Sequence, residues 1–358
     1  MSFYHGGLCL MFCPTLLGVT DEPYHVSQQG NTRLNMQCFF NGTLLISVLP
    51  PLLVTEFLLG ILGNGLALWV FCFHLRPWKS STVLLFNLAM ADFLLNVALP
   101  FRASYYNAGI NWMFGSALCN ICLFMLALNR SGSTVFLMAI AVDRYMRVVH
   151  PHHPINSLSV AKAMCGALIL WLLTIATTAH VFSLEHKTKY CESFMIDSKP
   201  KSNLTWHKFG FLLSFILPLL VIVYCTVHII VYLRKRQLAQ QAKIKKALCF
   251  ITVVAVLFII CFLPSNLMQL LIWVKTHEVA SSHPESDVCP ALEDLTAAFY
   301  ITISLTYLNS GLDPVVYYFS SPAFKNICRK AFHLPEAEMA ESTDKRTRDT
   351  GSQSLSQL

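Results

Sequence analysis

Charge is what this sequence has least of. Only 13% of its 358 residues are Asp, Glu, Lys or Arg, against about 25% in an average soluble domain, while 55% are hydrophobic. That deficit argues against a soluble protein and for a membrane one. No internal repeat is evident, which counts against a transporter built from inverted halves. The histidines, including His150, His152 and His153, lack the spacing of a metal site or a catalytic triad, so no enzyme is expected. The last apolar run holds no lysine, which excludes a retinal Schiff base. The opening MSFYHGGLCLMFCPTLLGV lacks a basic n-region, so a cleaved leader is not expected.

What is present is a set of long runs almost free of charge: residues 44–73, 82–101, 119–142, 163–184, 209–233, 247–274 and 295–319. Each is about 20 residues or more, enough for a helix rising about 1.5 Å per residue to cross a hydrocarbon core of about 30 Å. The predicted fold is an all-α membrane protein, a seven-transmembrane helix bundle over 44–319. A tail at 1–43 precedes it. A short amphipathic membrane-surface helix over 320–334 and a polar, disordered tail over 335–358 follow.

Orientation follows from the loop charges, because Lys and Arg are retained on the cytoplasmic side. LRKRQLAQQAKIKK after the fifth run holds Arg234, Lys235, Arg236, Lys243, Lys245 and Lys246 with no acid. Arg76, Lys79, Arg147 and Lys162 fall on the same side. The opposite loops mix signs, with Glu192 among them. The N-terminus is therefore expected outside, at the plasma membrane. The net charge of +7 reads as an insertion signal rather than a nucleic-acid footprint. Sequons at Asn41 and Asn203 fall on the predicted outer side, and so do Cys9, Cys13, Cys38, Cys119, Cys191 and Cys289, where disulfides are expected. In the surface helix, Cys328 is either a palmitoylation site or an ordinary thiol.

A charge within a span costs several kcal/mol unless paired or solvated, so each one asks for a role. Arg130 stands in the outer half of the third run, about 16 Å below Cys119 by helix rise. Its planar fork of donors matches a carboxylate. It either awaits an anion or is permanently paired, with Asp92 or Glu56 as the available acids. Asp92 and Asp313, with Asn64, lie near mid-depth in the second, seventh and first runs. They either hold Na⁺ through oxygen ligands or form a polar network with one carboxyl protonated, the reading we prefer. Asn129 and Ser131 read as packing groups. Tyr105, Tyr106, Trp112 and Trp273 read as an interfacial belt or as a cap on the site.

Taken together, GNGLALWV around Asn64, LAMAD ending at Asp92, Asp143-Arg144-Tyr145, Trp171, Pro218, CFLP ending at Pro264 and DPVVYYF from Asp313 resemble the rhodopsin-like (class A) G-protein-coupled receptors. The likeness runs from the first span to the surface helix. Within that family FCFHLRPWKSS, LALNRSGS, VDRYMRVVHPHH, QAKIKKA and SLTYLNSGLDPVVYYFSSP resemble the hydroxycarboxylic-acid receptors. CESF and LPFR look most like the lactate-type member. The oxoeicosanoid receptor shares much of the pattern and is the alternative.

The resemblance implies a small carboxylic-acid ligand held by Arg130, with Arg102, Tyr307 and Ser193 beside it. It places Gln269 where these receptors carry another arginine. It implies a switch built from Asp143, Arg144, Tyr145, Tyr224 and Tyr317, with Phe262 standing where tryptophan is usual. A disulfide between Cys119 and Cys191 is expected, with Cys38 and Cys289 left as a second pair. The implied partners are an inhibitory heterotrimeric G protein that lowers cyclic AMP, and arrestin through the Ser/Thr-rich tail. No cofactor is implied beyond an allosteric Na⁺ at Asp92.

Overall fold

The computed structural model describes residues 43–75, 77–183, 189–192, 212–235, 242–282, 289–320 and 322–331. Among these residues eight α-helices run in order: α1 Thr43–Trp69, α2 Ser80–Asn107, α3 Gly115–Val149, α4 Val160–Thr178, α5 Leu217–Lys235, α6 Ala242–Ser282, α7 Cys289–Ser320 and α8 Pro322–Ala331. Six of the first seven are long and apolar enough to cross a membrane by length and composition. The seventh, α7, has 32 residues, and its stretch 295–312 is free of charge but carries several Thr, Ser, Tyr and Asn side chains. The helices outrun the apolar runs because a helix continues past the hydrocarbon wherever its backbone stays bonded. Thus α3 reaches Val149 and α6 reaches Ser282.

α1 packs on α2 and α7, α7 on α6, α6 on α5, and α5 on α3, which also meets α2 and α4, so the ring closes. α2 and α3 form its middle. α4 stands outside, burying only Ala167, Thr174 and Thr178 while Leu168, Ile169, Leu172 and Leu173 stay exposed. In water such a face would be costly; in a bilayer it meets lipid, which is as apolar as leucine.

The buried residues form two apolar clusters separated by a polar layer. Leu49, Leu53, Leu95, Leu99, Leu123 and Phe299 belong to the cluster at the Cys119 end. Phe71, Leu88, Phe136, Ile229, Phe258 and Tyr317 belong to the cluster at the Asp143 end. Between them in every contributing helix come buried polar residues: Asn64 in α1, Asp92 in α2, Asn129 and Ser133 in α3, Asn309, Ser310 and Asp313 in α7. A hydrogen-bonded layer of this kind holds helices together where no hydrophobic force acts between them.

α6 runs unbroken through Pro264. Pro264 cannot donate to the α6 ladder, and beside it Asn266 Nδ2 and Ser265 Oγ donate to the Phe262 carbonyl at 2.7 and 3.2 Å. π-helical turns at Val70–His74 and Leu212–Ile216 continue α1 and precede α5. α8 is tied back through buried Phe324, whose ring meets Tyr317 edge-on at 6.0 Å.

Close approach of α1 to α7 depends on Gly63. A Cβ there would lie 2.4 Å from Cγ of Pro314, part of a ring that cannot rotate aside. Gly63→Ala is therefore expected to push the helices apart and destabilise the bundle by about 1–3 kcal/mol. A lowered thermal midpoint of the detergent-solubilised protein is the check; an unchanged midpoint would show that the interface yields.

Candidate functional site

Arg130 sits midway along α3, on the side turned toward α6 and α7. Its Nη2 lies 3.4 Å from Ser265 Oγ, a long contact, and Tyr307 of α7 is within electrostatic range. Among the described residues no carboxylate pairs with it, so permanent pairing with Asp92 or Glu56 is not observed. Asp92 is taken up elsewhere, and Glu56, though buried, accepts no hydrogen bond from the described residues. Arg130 also keeps accessible area where its neighbours Leu128 and Asn129 are buried. A guanidinium with one weak contact and no carboxylate partner among the described residues can receive an anion without first breaking an ion pair.

Arg102 presents the opposite case. This α2 residue is 5% exposed. Its Nη2 donates to Glu192 Oε2 at 3.0 Å and to the Tyr106 hydroxyl at 2.7 Å, and its Nη1 donates to the Cys191 carbonyl. The Tyr105 and Tyr106 rings lie 5.1 and 5.0 Å from its Cζ. Cys191 is bonded to Cys119, as expected, across 72 residues. The disulfide and a Trp112 N–H bond of 2.9 Å to the Lys189 carbonyl hold the 189–192 segment over this end of the bundle. Tyr307, 7% exposed, lies within electrostatic range of Arg102, Arg130, Glu56 and Glu192 together. Gln269 is half-buried and makes no hydrogen bond among the described residues. Ser193 lies outside them.

Below, Asp92 is fully enclosed. Its Oδ1 accepts from Asn129 Nδ2 at 3.1 Å, Ser133 Oγ at 3.0 Å and Ser310 Oγ at 2.8 Å, and its Oδ2 from the Tyr317 hydroxyl at 3.2 Å. Tyr317 also reaches Asn64 Oδ1 at 3.2 Å, and Asn64 Nδ2 donates to the Ser310 carbonyl at 2.7 Å. Asp313 interacts with Asp92 and accepts from Asn309 Nδ2 at 3.0 Å. The side-chain oxygens Asp313 Oδ1, Asn309 Oδ1 and Asn129 Oδ1 find no donor among the described residues. Such oxygens beside two carboxyls suit a hard monovalent cation. Among the described residues no group of three or more His, Cys, Asp or Glu is arranged to hold a metal.

At the far end of α3, Asp143 is gripped by Arg147, whose Nε lies 2.9 and 3.0 Å from its two oxygens, and by Ser81 Oγ at 2.9 Å. Arg144 Nε is 3.8 Å away, and the Arg144 guanidinium lies 5.0 Å from the Phe250 ring centroid on α6. Tyr145 bonds His150 and faces Tyr224 at 6.0 Å. The Tyr317 hydroxyl lies in the Asp92 network. Phe262 fills its place in a stack, 4.9 Å from Phe258, which stacks at 6.2 Å on Phe215.

Several partners were not visible in the sequence. Asn129, read as a packing group, is part of the Asp92 network, because neighbouring helical residues point about 100° apart and only Arg130 faces α6. Ser265 lies in none of the quoted motifs, and Arg147, Ser310 and Glu192, which lie in VDRYMRVVHPHH, SLTYLNSGLDPVVYYFSSP and CESF, were not singled out there as partners. Cys289 is disulfide-bonded to a residue outside the described set, where Cys38 also lies. Asn41, Asn203, the Cys328 side chain and the 335–358 tail fall outside it as well.

The chain matches the 7 transmembrane receptor (rhodopsin family) over residues 63–317. It is 48% identical over 294 residues to human hydroxycarboxylic acid receptor 2, an alignment covering 81% of this chain and 78% of that one. To human hydroxycarboxylic acid receptor 1 the identity is 46% over 300 residues, covering 82% of each. Human oxoeicosanoid receptor 1 is 39% identical over 304 residues, 85% of this chain and 77% of that one. These are receptors and not enzymes. The chain belongs to the rhodopsin family of seven-transmembrane receptors, and within it to the hydroxycarboxylic acid receptor group.

Proposed function

We propose that this receptor answers to a small monocarboxylic acid bearing a hydroxyl, whose carboxylate is held by the Arg130 fork beside the Tyr307 hydroxyl. Arg102, Ser193 and Gln269 complete the ligand-facing set. The observation that carries the reading is the contrast between the two guanidiniums: Arg102 has a carboxylate partner, and Arg130 has none among the described residues. A low-dielectric site strengthens a bidentate bond to the ligand and excludes competing water.

Binding that is tighter in the active arrangement shifts the population toward it. The groups that rearrange are Asp143, Arg144, Tyr145, Tyr224 and Tyr317, with Phe262 in place of a tryptophan switch. Opening the Asp143 end admits a heterotrimeric G protein of the inhibitory class, met by the basic stretch before α6, and cyclic AMP falls. Arrestin engages the Ser/Thr-rich tail. Na⁺ fits the free oxygens around Asp92 and Asp313 and would supply positive charge to that pair. The N-terminus lies outside the cell.

A second reading, a larger and less polar acid like that named for the oxoeicosanoid receptor, is favoured by Gln269 alone. Arginine there would add positive field. Gln269→Arg is expected to raise sensitivity to small hydroxy acids about tenfold; an unchanged dose response removes the weight given to Gln269. The test of the whole reading is inhibition of cyclic AMP in intact cells across lactate, 3-hydroxybutyrate, nicotinate and oxo-fatty acids. A response to a small hydroxy acid at lower concentration than to any oxo-fatty acid is expected, and the reverse order would select the second reading.

A further inference from the structure

Glu192 is the acid that the ligand reading leaves unused, and it is held with unusual firmness for a loop residue. It directly follows Cys191, which is fully buried and bonded to Cys119. Two residues before Cys191, the Lys189 carbonyl is fixed by Trp112 N–H. Both carboxylate oxygens are engaged: Oε2 by Arg102 at 3.0 Å and Oε1 by the Tyr106 hydroxyl at 3.1 Å. The two side chains of the ion pair are only 6% and 16% exposed. Arg102 in turn spends Nη1 on Cys191 and Nη2 on Glu192 and Tyr106, so both of its terminal nitrogens are committed.

Three buried or half-buried charged groups besides Arg130 come within range of Tyr307 at this end of the bundle: Arg102, Glu192 and Glu56. Among the described residues Arg102 and Glu192 cancel as an ion pair, Glu56 makes no ion pair or hydrogen bond, and Arg130 is the guanidinium left without a carboxylate partner. A ligand with one carboxylate matches that capacity. A ligand with two would leave its second carboxylate facing a cation already neutralised, with Glu192 repelling it, in surroundings where an unpaired charge is expensive.

We infer that Glu192 is a built-in counter-anion that occupies Arg102 and thereby restricts the site to monocarboxylates, excluding dicarboxylates of the same length. Glu192 determines specificity by repulsion and by sequestering a cation, the kind of discrimination that attractive contacts alone do not supply. The inference rests on the reading that Arg130 takes the ligand carboxylate.

The test compares 3-hydroxybutyrate with malate, which replaces the terminal methyl by a carboxylate, in cells expressing Glu192→Gln. Glutamine keeps the size and an oxygen for Arg102 but removes the charge. This variant should gain a malate response at least tenfold more potent than that of the unmodified receptor. Arg102→Gln added to it should remove the gain. The exchanged pair Arg102→Glu with Glu192→Arg should exclude malate as the unmodified receptor does. A Glu192→Gln receptor that reaches the cell surface without gaining malate sensitivity, or a gain that survives Arg102→Gln, overturns the inference. Arg130→Gln run in parallel separates the two failures. If it keeps the monocarboxylate response, the carboxylate reading itself is wrong; if it loses that response while Glu192→Gln gains nothing, only the charge filter falls.

Discussion

Arg130→Ala is expected to abolish acid-evoked signalling while the receptor still reaches the cell surface in normal amount. Removing one partner of a desolvated charge pair costs about 2–5 kcal/mol, or roughly 30-fold to several-thousand-fold in affinity. The fold should tolerate the change, because Arg130 gives its own protein little: one 3.4 Å contact to Ser265, which still donates to the Phe262 carbonyl. That asymmetry separates a ligand-binding charge from a structural one. Arg130→Lys is expected to lose tenfold or more, since an ammonium does not reproduce the planar fork. The check is a cyclic-AMP dose response normalised to surface expression, and unchanged potency in the alanine variant would show the carboxylate sits elsewhere.

Asp92→Ala should do the reverse, damaging the fold more than any single change in the ligand region. Four donors from α3 and α7 converge on this carboxyl; Ser133 and Ser310 lose their acceptor, while Asn129 and Tyr317 fall back on the Ala91 carbonyl and Asn64 Oδ1. A buried donor left unsatisfied costs about 1–3 kcal/mol, and the losses within one network do not simply add. A fall in the thermal midpoint of about 5 °C or more is expected for the solubilised protein. Asp92→Asn should be milder, because its oxygen can still serve Asn129, Ser133 and Ser310 while its amide donates to the Tyr317 oxygen. If Na⁺ binds here, replacing potassium by sodium raises the midpoint of the unmodified protein, and Asp92→Asn flattens the dependence.

The seven spans were legible because hydrocarbon demands long apolar runs, and the interior charges were legible because each is costly in that setting. Helix ends were not, since the signals that stop a helix at Asn107 or Ser282 lie in water and compete with backbone bonding alone. Arg130 stood out as a charge, and the resemblance supplied Tyr307. Glu192 did not stand out. In the sequence it is one of several mixed charges in an outer loop, and its pairing with Arg102, 90 residues away, exists only once the Cys119–Cys191 bond has folded the segment over α2. The same limit applies to Ser265, 135 residues from Arg130. Asp143 illustrates a subtler gap: the motif pairs it with Arg144, whereas the closer grip comes from Arg147 one turn on. Identity over 81–82% of the chain leaves the choice of acid open, being 48% for hydroxycarboxylic acid receptor 2 and 46% for hydroxycarboxylic acid receptor 1.

The central claim is that the Arg130 guanidinium binds the ligand's carboxylate, and a charge-deletion cycle tests it most directly. Binding of an active hydroxy acid and of its uncharged methyl ester is compared on the unmodified receptor and on Arg130→Gln. The account predicts a preference for the acid of about 100-fold that collapses to near unity in the variant. A preference of the same size in both receptors would contradict it.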